Sequence, residues 1–120
     1  MTKAEFYEEY VGVAGSNIHF IRGGSGEPVV VLHSVEGNLG WLPYLDLIAN
    51  RASVYLPTHP GYGKSERPHW LESVSDMAKL YIWLFGAMGL KKISLIGHFI
   101  GGWIAAEIAV MCPQILDRLI

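Results

Sequence analysis

Residues 94–103, SLIGHFIGGW, have the form of a buried strand that runs through a sharp glycine turn into a helix. Chains with a serine at the centre of the pattern G-x-S-x-G use such a turn to lift a hydroxyl out of a sheet, where it attacks a carbonyl group. Here residues 97–101 read GHFIG, and the central Phe99 has no group that can attack. The spacing therefore predicts the turn of a nucleophilic enzyme without its nucleophile.

The residues around Phe99 keep the properties that this turn requires. A strained backbone at the centre is tolerated when the residues two positions away are small, as Gly97 and Gly101 are. Gly102 is expected to let the following helix begin close to the strand. The first amides of that helix point at the same place and favour a developing oxyanion there.

The elements that position this turn alternate between strands and helices. YVGVAG and NIHFIRGG predict an antiparallel hairpin, and EPVVVLH, RASVYLP and KKISLIG predict buried strands. Apolar spacing predicts helices over Leu39–Asn50, Ser73–Leu90 and Ile100–Met111, and LDRLI reads as a further strand. The order predicts an α/β fold with an open, mostly parallel sheet flanked by helices.

Three segments in order resemble the N-terminal half of the α/β-hydrolase fold family: VVVLHSVEG, LPTHPGYGKSERP and ISLIGHFIGGWIAAEIA. The resemblance implies that residues 1–120 form a single incomplete domain. The later strands, the cap and the acid and histidine of the triad would follow further along the chain in that family. It also implies that EPVVVLH lies beside KKISLIG, at a switch point whose loops form a crevice.

The resemblance assigns roles to residues around that crevice. Phe99 takes the nucleophile position, and the backbone amides of Val35 and Ile100 are the oxyanion-hole candidates. The expected pocket residues are His33, Ser34, His98 and Trp103. Ser34 and Thr58 stand where the family usually has glycine and aspartate, so the match is incomplete at both loops.

The remaining histidines and the cysteine carry weaker signals. His59 reads as a structural turn residue, whereas His19 and His69 read as surface or strand-face residues. No pair of histidines has metal-ligand spacing on a helix, and the single Cys112 has no partner spacing for zinc. We therefore expect neither a metal nor a cofactor.

Composition narrows the class of protein. The 120 residues suit one domain, and the net charge of −2 gives no reason to expect a nucleic-acid or membrane partner. No signal peptide or membrane-spanning run is recognisable, so a cytoplasmic location is expected. With 51% hydrophobic and 17% charged residues the chain is apolar for its size, which predicts marginal stability or self-association through an exposed sheet edge.

Three functions stay open at this level. In the first, the parent protein hydrolyses esters or related bonds with a Ser-His-Asp triad, and this fragment, which lacks the triad, is inactive alone. In the second, the chain is a pseudoenzyme in which Phe99 fills the nucleophile cavity and the crevice binds a small molecule or a partner. In the third, the glycine turn binds a nucleotide phosphate, but GHFIGG is not G-x-G-x-x-G and Phe99 would crowd the phosphate.

Overall fold

The computed structural model describes residues 3–120, which form a six-stranded sheet with helices on both faces. The strands are β1 (Phe6–Val13), β2 (Ser16–Gly24), β3 (Glu27–Leu32), β4 (Ala52–Pro57), β5 (Ile93–Gly97) and β6 (Leu116–Leu119). The helices are α1 (Pro43–Ala49), α2 (Val74–Ala87) and α3 (Ile100–Met111), and a 3₁₀ turn spans Pro113–Ile115. Within residues 3–120, no helix is both long and apolar enough to cross a membrane.

The strands lie in the order β1-β2-β4-β3-β5-β6. β1, β2 and β4 pair in antiparallel fashion, whereas β4, β3, β5 and β6 are parallel to one another. The predicted α/β class, the opening hairpin and the pairing of β3 with β5 are thus confirmed. Because the chain leaves β3 for β4 on one side and then crosses to β5 on the other, the carboxyl ends of β3 and β5 border a crevice.

The helix ends follow local chemistry. Ser73 caps α2 by accepting a hydrogen bond from the backbone N–H of Asp76 at 3.0 Å. The prediction of a helix over Leu39–Asn50 was wrong at its start, because α1 begins only at Pro43. Gly40 has a φ of +83°, which is not helical, whereas a proline without an N–H suits a first turn.

Residues of β3 pack alternately into two hydrophobic cores. Val30 and Leu32 belong to the larger core, which includes the buried residues of α2 and α3. Val31 belongs to the smaller core, which includes Leu45 and Ala49 of α1. A strand buried on both faces is what the continuous apolar run EPVVVL predicts. The loops that follow β3 and β5 therefore rise from a well-packed platform.

The sheet ends at β1 on one side and β6 on the other. Since β6 covers β5, the free edge beside α3 belongs to the short segment LDRL. Charged residues such as Asp117 and Arg118 at an edge limit pairing with other chains. Self-association through this edge stays a prediction.

Candidate functional site

The segment from Gly97 to Gly101, which we call the apical turn, joins β5 to α3. Its central residue Phe99 has φ 54° and ψ −112°, a backbone conformation that side-chain-bearing residues rarely adopt. The turn is held to the sheet by the His98 N–H, which donates to the Leu32 carbonyl at 3.0 Å. It is held to the helix by the Trp103 N–H, which donates to the Phe99 carbonyl at 3.1 Å.

Two glycines make this turn possible by close backbone contact. A Cβ atom on Gly97 would lie 2.5 Å from the Gly101 carbonyl oxygen, and one on Gly101 would lie 2.3 Å from the Leu32 carbonyl oxygen. Neither position has room for alanine. Gly102 differs, because a Cβ there would meet its nearest atom, the Gly97 oxygen, at an ordinary 3.5 Å. The close approach of the helix to the strand therefore depends on the missing side chains of Gly97 and Gly101. It does not depend on that of Gly102, as was predicted.

A cleft of about 200 Å³ lies beside the apical turn, at the carboxyl ends of β3 and β5. Its walls are mainly apolar, with a few polar side chains among them. The lining residues are Val31, His33, Ser34, Glu36, Gly37, Leu39, Gly40, Leu42, Tyr44, Leu56, His98 and Phe99. This combination of apolar walls and few polar groups is typical of a small-molecule site, although the volume is modest.

Of the residues predicted for the pocket, His33, Ser34 and His98 line this cleft together with Phe99. Trp103 does not, since it lies one turn into α3 and is 59% exposed. The interpretation that Phe99 fills a cavity does not match the structure. The backbone at the apex directs this side chain outward, so that it is 86% exposed at the rim of the cleft.

The two predicted oxyanion-hole amides belong to residues that flank the cleft rather than line it. Val35 follows Ser34 in the loop after β3, and Ile100 follows Phe99 at the start of α3. Within residues 3–120, neither of these N–H groups donates a hydrogen bond to a protein acceptor. Their role in holding an oxygen atom of a ligand stays a prediction.

His33 has no free ring nitrogen for proton transfer. Its Nδ1 lies 2.7 Å from the Ser34 carbonyl oxygen and donates to it, and its Nε2 accepts the backbone N–H of His59 at 2.8 Å. Burial lowers the pKa of His33, although the bond to Ser34 opposes that shift. His33 is therefore a neutral residue that fixes the loop.

His59 lies against His33, with ring centroids 3.6 Å apart. Its Nε2 donates to the His33 carbonyl at 2.6 Å, and its Nδ1 accepts the Tyr81 hydroxyl at 2.5 Å. Burial, followed by repulsion from His33, lowers the pKa of His59 to about 3. Burial also raises the pKa of Tyr81. The structural role expected for His59 matches this arrangement.

His98 and Ser34 keep looser contacts at the cleft. The His98 Nε2 lies 3.4 Å from the Tyr44 hydroxyl, and the two rings meet edge to face. The Ser34 hydroxyl lies 3.4 Å from a Glu36 carboxylate oxygen. No imidazole contacts Ser34 Oγ within the part of the chain that the structure describes, so no base is placed to activate it.

Sequence reasoning missed a polar network that lies beyond the loop after β3. His19, expected at the surface or on a strand face, is a buried residue of β2. Its Nε2 donates to Glu8 Oε1 at 2.8 Å, and its Nδ1 accepts the Thr58 hydroxyl at 2.8 Å. Asn38 donates to the same Thr58 oxygen at 2.9 Å. Because these partners are far apart in sequence, no local pattern could have revealed the network.

The side chains described at this site do not form a metal-binding cluster. Among residues 3–120, no group of three or more His, Cys, Asp or Glu side chains lies close enough together to hold an ion. The polar groups at the cleft are instead engaged with the backbone, with hydroxyl groups or with a single carboxylate.

Comparison with known proteins agrees with this geometry. The profile of a family described as alpha/beta hydrolase fold matches residues 27–120. The human 1-acylglycerol-3-phosphate O-acyltransferase ABHD5 is 35% identical over 100 residues, which cover 78% of this chain and 28% of that protein. The dihydrolipoyllysine-residue acetyltransferase component of the acetoin cleaving system of Cupriavidus necator is 31% identical over 108 residues, covering 88% of this chain and 29% of that protein. The structure of the epoxide hydrolase CorEH without ligand has a TM-score of 0.90 at 28% identity, covering 96% of this chain and 41% of that one.

The chain therefore belongs to the α/β hydrolase fold family. It spans less than a third of the two curated relatives, at 28% and 29% of their lengths. The family resemblance and the fold class expected from the sequence are confirmed.

Proposed function

We propose that the cleft beside the apical turn binds a small, mainly apolar ligand without forming a covalent intermediate. The apical turn takes the place of the nucleophile elbow in this proposal, and Phe99 takes the place of the nucleophile. The observation that carries the proposal is the combination of a strained backbone at Phe99 with an open cleft beside it. A phenyl side chain has no hydroxyl or thiol, so no acyl group can be transferred to it.

The chemistry of the walls supports a ligand with a short acyl chain. Leu39, Leu42 and Leu56 offer apolar surface to a short hydrocarbon chain. Among residues 3–120 the amides of Val35 and Ile100 have no protein acceptor, and in this proposal they donate to a carbonyl oxygen of the ligand. A volume of about 200 Å³ equals that of roughly seven water molecules, so the ligand is a small one.

The names of two relatives agree with an acyl-bearing ligand. ABHD5 is named an acyltransferase, and the protein of the acetoin cleaving system is named an acetyltransferase component. We propose only that the property shared with them is affinity for an acyl group.

We further propose a cytoplasmic location for this chain.

Thermal unfolding with ethyl butyrate as the probe tests this proposal. A ligand at ten times its Kd stabilises the folded state by about 1.4 kcal/mol, so the Tm rises with probe concentration. Leu39→Asp places a charge on the cleft wall and is expected to abolish the rise. Leu47→Asp is the matched control, because Leu47 on α1 is 59% exposed, compared with 63% for Leu39, and does not line the cleft. No rise in the Tm of the wild-type chain, or an equal loss in both variants, contradicts the proposal.

A second candidate function has one specific observation in its favour. The backbone of Phe99 keeps the left-handed φ that lifts a side chain out of the sheet, as a nucleophile would need. In this alternative, the parent protein is a serine hydrolase in which phenylalanine replaced serine. Because the acid and histidine of a triad would come from the later half of the fold, the test joins that half to Phe99→Ser and, as a control, to Phe99→Ala. Reaction of the serine form alone with a fluorophosphonate probe would favour this alternative. A Tm rise produced by AMP but not by ethyl butyrate would instead favour the phosphate-binding alternative.

A further inference from the structure

The strand β1 forms one edge of the sheet. Its eight residues, Phe6–Val13, pair with β2 in one continuous register, and among residues 3–120 no strand pairs with its other side. An edge strand is protected from other chains when it is short, bulged, charged or interrupted by proline. β1 is long and regular, and it contains no proline. Its protection would therefore have to come from its charged residues.

Both glutamates of β1 are compensated within the chain. Glu8 Oε1 accepts hydrogen bonds from Lys64 Nζ at 2.9 Å and from His19 Nε2 at 2.8 Å. Glu9 lies 3.6 Å from the guanidinium group of Arg22 on the neighbouring strand. Because paired charges repel a second strand less than free ones do, these glutamates protect the edge only weakly.

The hairpin turn decides which backbone groups of β1 face outward. Ala14 and Gly15 have φ of 51° and 82°, as in a type I′ turn, so the flanking residues Val13 and Ser16 exchange hydrogen bonds. Every second residue before Val13 then directs its N–H and C=O groups toward β2. The residues that direct theirs away from the sheet are Phe6, Glu8, Tyr10 and Gly12. The outer side of β1 therefore offers a regular series of donors and acceptors.

We infer that two copies of this chain pair through β1 in antiparallel fashion, with Tyr10 on the two-fold axis. Such an axis places the residue on it opposite the same residue of the second copy. An axis at Glu8 or Glu9 would place identical charges opposite each other, which destabilises a sheet. An axis at Tyr10 places both glutamates opposite uncharged residues and pairs residues 7–13 of the two copies. Within β1 this is the longest register in which no two glutamates face each other.

The expected dimer is a weak one. Glu8, Tyr10 and Gly12 of each copy would lie opposite outward-facing residues of the other, which gives about six backbone hydrogen bonds. The exposed ring of Tyr10 would pack beside its counterpart at the axis. Since two single strands bury less area than a standard interface, we expect a Kd on the order of 10 μM. The pairing does not involve the cleft, so it is independent of the proposed function.

The opposite edge of the sheet is less suited to such pairing. β6 has four residues, and its register along β5 shifts between Ile93 and Ser94. A two-fold register centred on Asp117 or on Arg118 would place identical charges opposite each other. Self-association is therefore assigned to β1 rather than to β6.

Gly12→Pro and Gly12→Ala test the edge. The Gly12 N–H points outward, so proline keeps the bonds to β2 and removes one donor from the outer side. A Cβ atom on Gly12 meets nothing within 4 Å, so the hairpin has room for either residue. Sedimentation equilibrium between about 1 and 100 μM is expected to show monomer and dimer for the wild-type chain. Gly12→Ala should match it, whereas Gly12→Pro should weaken the dimer about tenfold, because each copy loses one hydrogen bond.

Opposite charges at position 10 test the register. Tyr10→Lys and Tyr10→Glu each place identical charges at the axis, so each alone should dimerise about fivefold more weakly than the wild-type chain. An equimolar mixture places opposite charges there and should recover the wild-type Kd, which also shows that both variants are folded. Tyr7→Lys and Tyr7→Glu are the matched controls, because Tyr7 is 56% exposed, compared with 51% for Tyr10. Tyr7 lies opposite Val13 in this register, so mixing its two variants should give no gain.

The outcomes decide as follows. A chain that stays monomeric up to about 100 μM overturns the inference, as does a dimer that Gly12→Pro leaves intact or that Gly12→Ala also loses. Assembly beyond the dimer would overturn it too, because a two-fold pair is closed. Equal recovery in the Tyr7 mixture would show attraction between net charges and would overturn the register. If Gly12→Pro is unfolded by circular dichroism, the Tyr10 mixture decides.

Discussion

Replacing Phe99 by glycine is expected to stabilise the folded chain. Phe99 holds φ 54° and ψ −112°, and such a conformation costs a side-chain-bearing residue about 1–3 kcal/mol. Glycine adopts it without that strain, but it gives the unfolded chain more freedom, which lowers stability by about 0.4–1 kcal/mol. The phenyl ring is 86% exposed, so its removal gives up only a few tenths of a kcal/mol of burial.

The balance favours Phe99→Gly by about 1 kcal/mol in the free energy of unfolding. Unfolding entropy scales with chain length, and for 120 residues that gain raises the Tm by about 4 °C. Urea unfolding followed by circular dichroism measures the free energy, and calorimetry measures the Tm.

Phe99→Ala is the control, because alanine removes the same ring but keeps the strained backbone. We expect it to unfold at or slightly below the midpoint of the wild-type chain. The reasoning is refuted if Phe99→Gly is no more stable than Phe99→Ala, because the positive φ would then store no strain that glycine relieves.

Two further predictions concern residues near the same turn. Gly101→Ala is expected to destabilise the chain by several kcal/mol, because its Cβ would overlap the Leu32 carbonyl, whereas Gly102→Ala should be tolerated; urea midpoints that fall equally would contradict this contrast. The free energy of unfolding should also fall as the pH drops below about 6.5. In the unfolded chain His59 then binds a proton, whereas in the folded chain, where its pKa is about 3, it stays neutral. The slope is about 1.4 kcal/mol per pH unit for that group, and His59→Gln should flatten it in urea titrations between pH 7 and pH 5; an unchanged slope would exclude His59 as its source.

Much of the fold could be predicted because its signals are local. The apolar runs of β3 and β5 identify buried strands, and Ser73 marks the start of α2. The start of α1 was misplaced because the residues before Pro43 have helical spacing but a loop conformation. Spacing reports which side chains share a face, but it does not report the φ of a residue such as Gly40.

The candidate site was predicted only where it depends on neighbours in sequence. The requirement for glycine at positions 97 and 101 follows from the pattern, and the backbone contacts explain it. The exposure of Trp103 and of the Phe99 ring was not foreseen, because it depends on which other elements lie nearby. The same holds for His19, whose partners come from β1 and from the loop after β4.

The sequence by itself determined that position 99 carries no nucleophile and that a strand, a glycine turn and a helix surround it. These are properties of covalent structure and of residues a few positions apart. Only the tertiary structure decided that His33 and His59 bind each other and that β1 forms an edge of the sheet. The physical reason is that strand pairing and loop closure bring together residues tens of positions apart, and no local pattern encodes those distances.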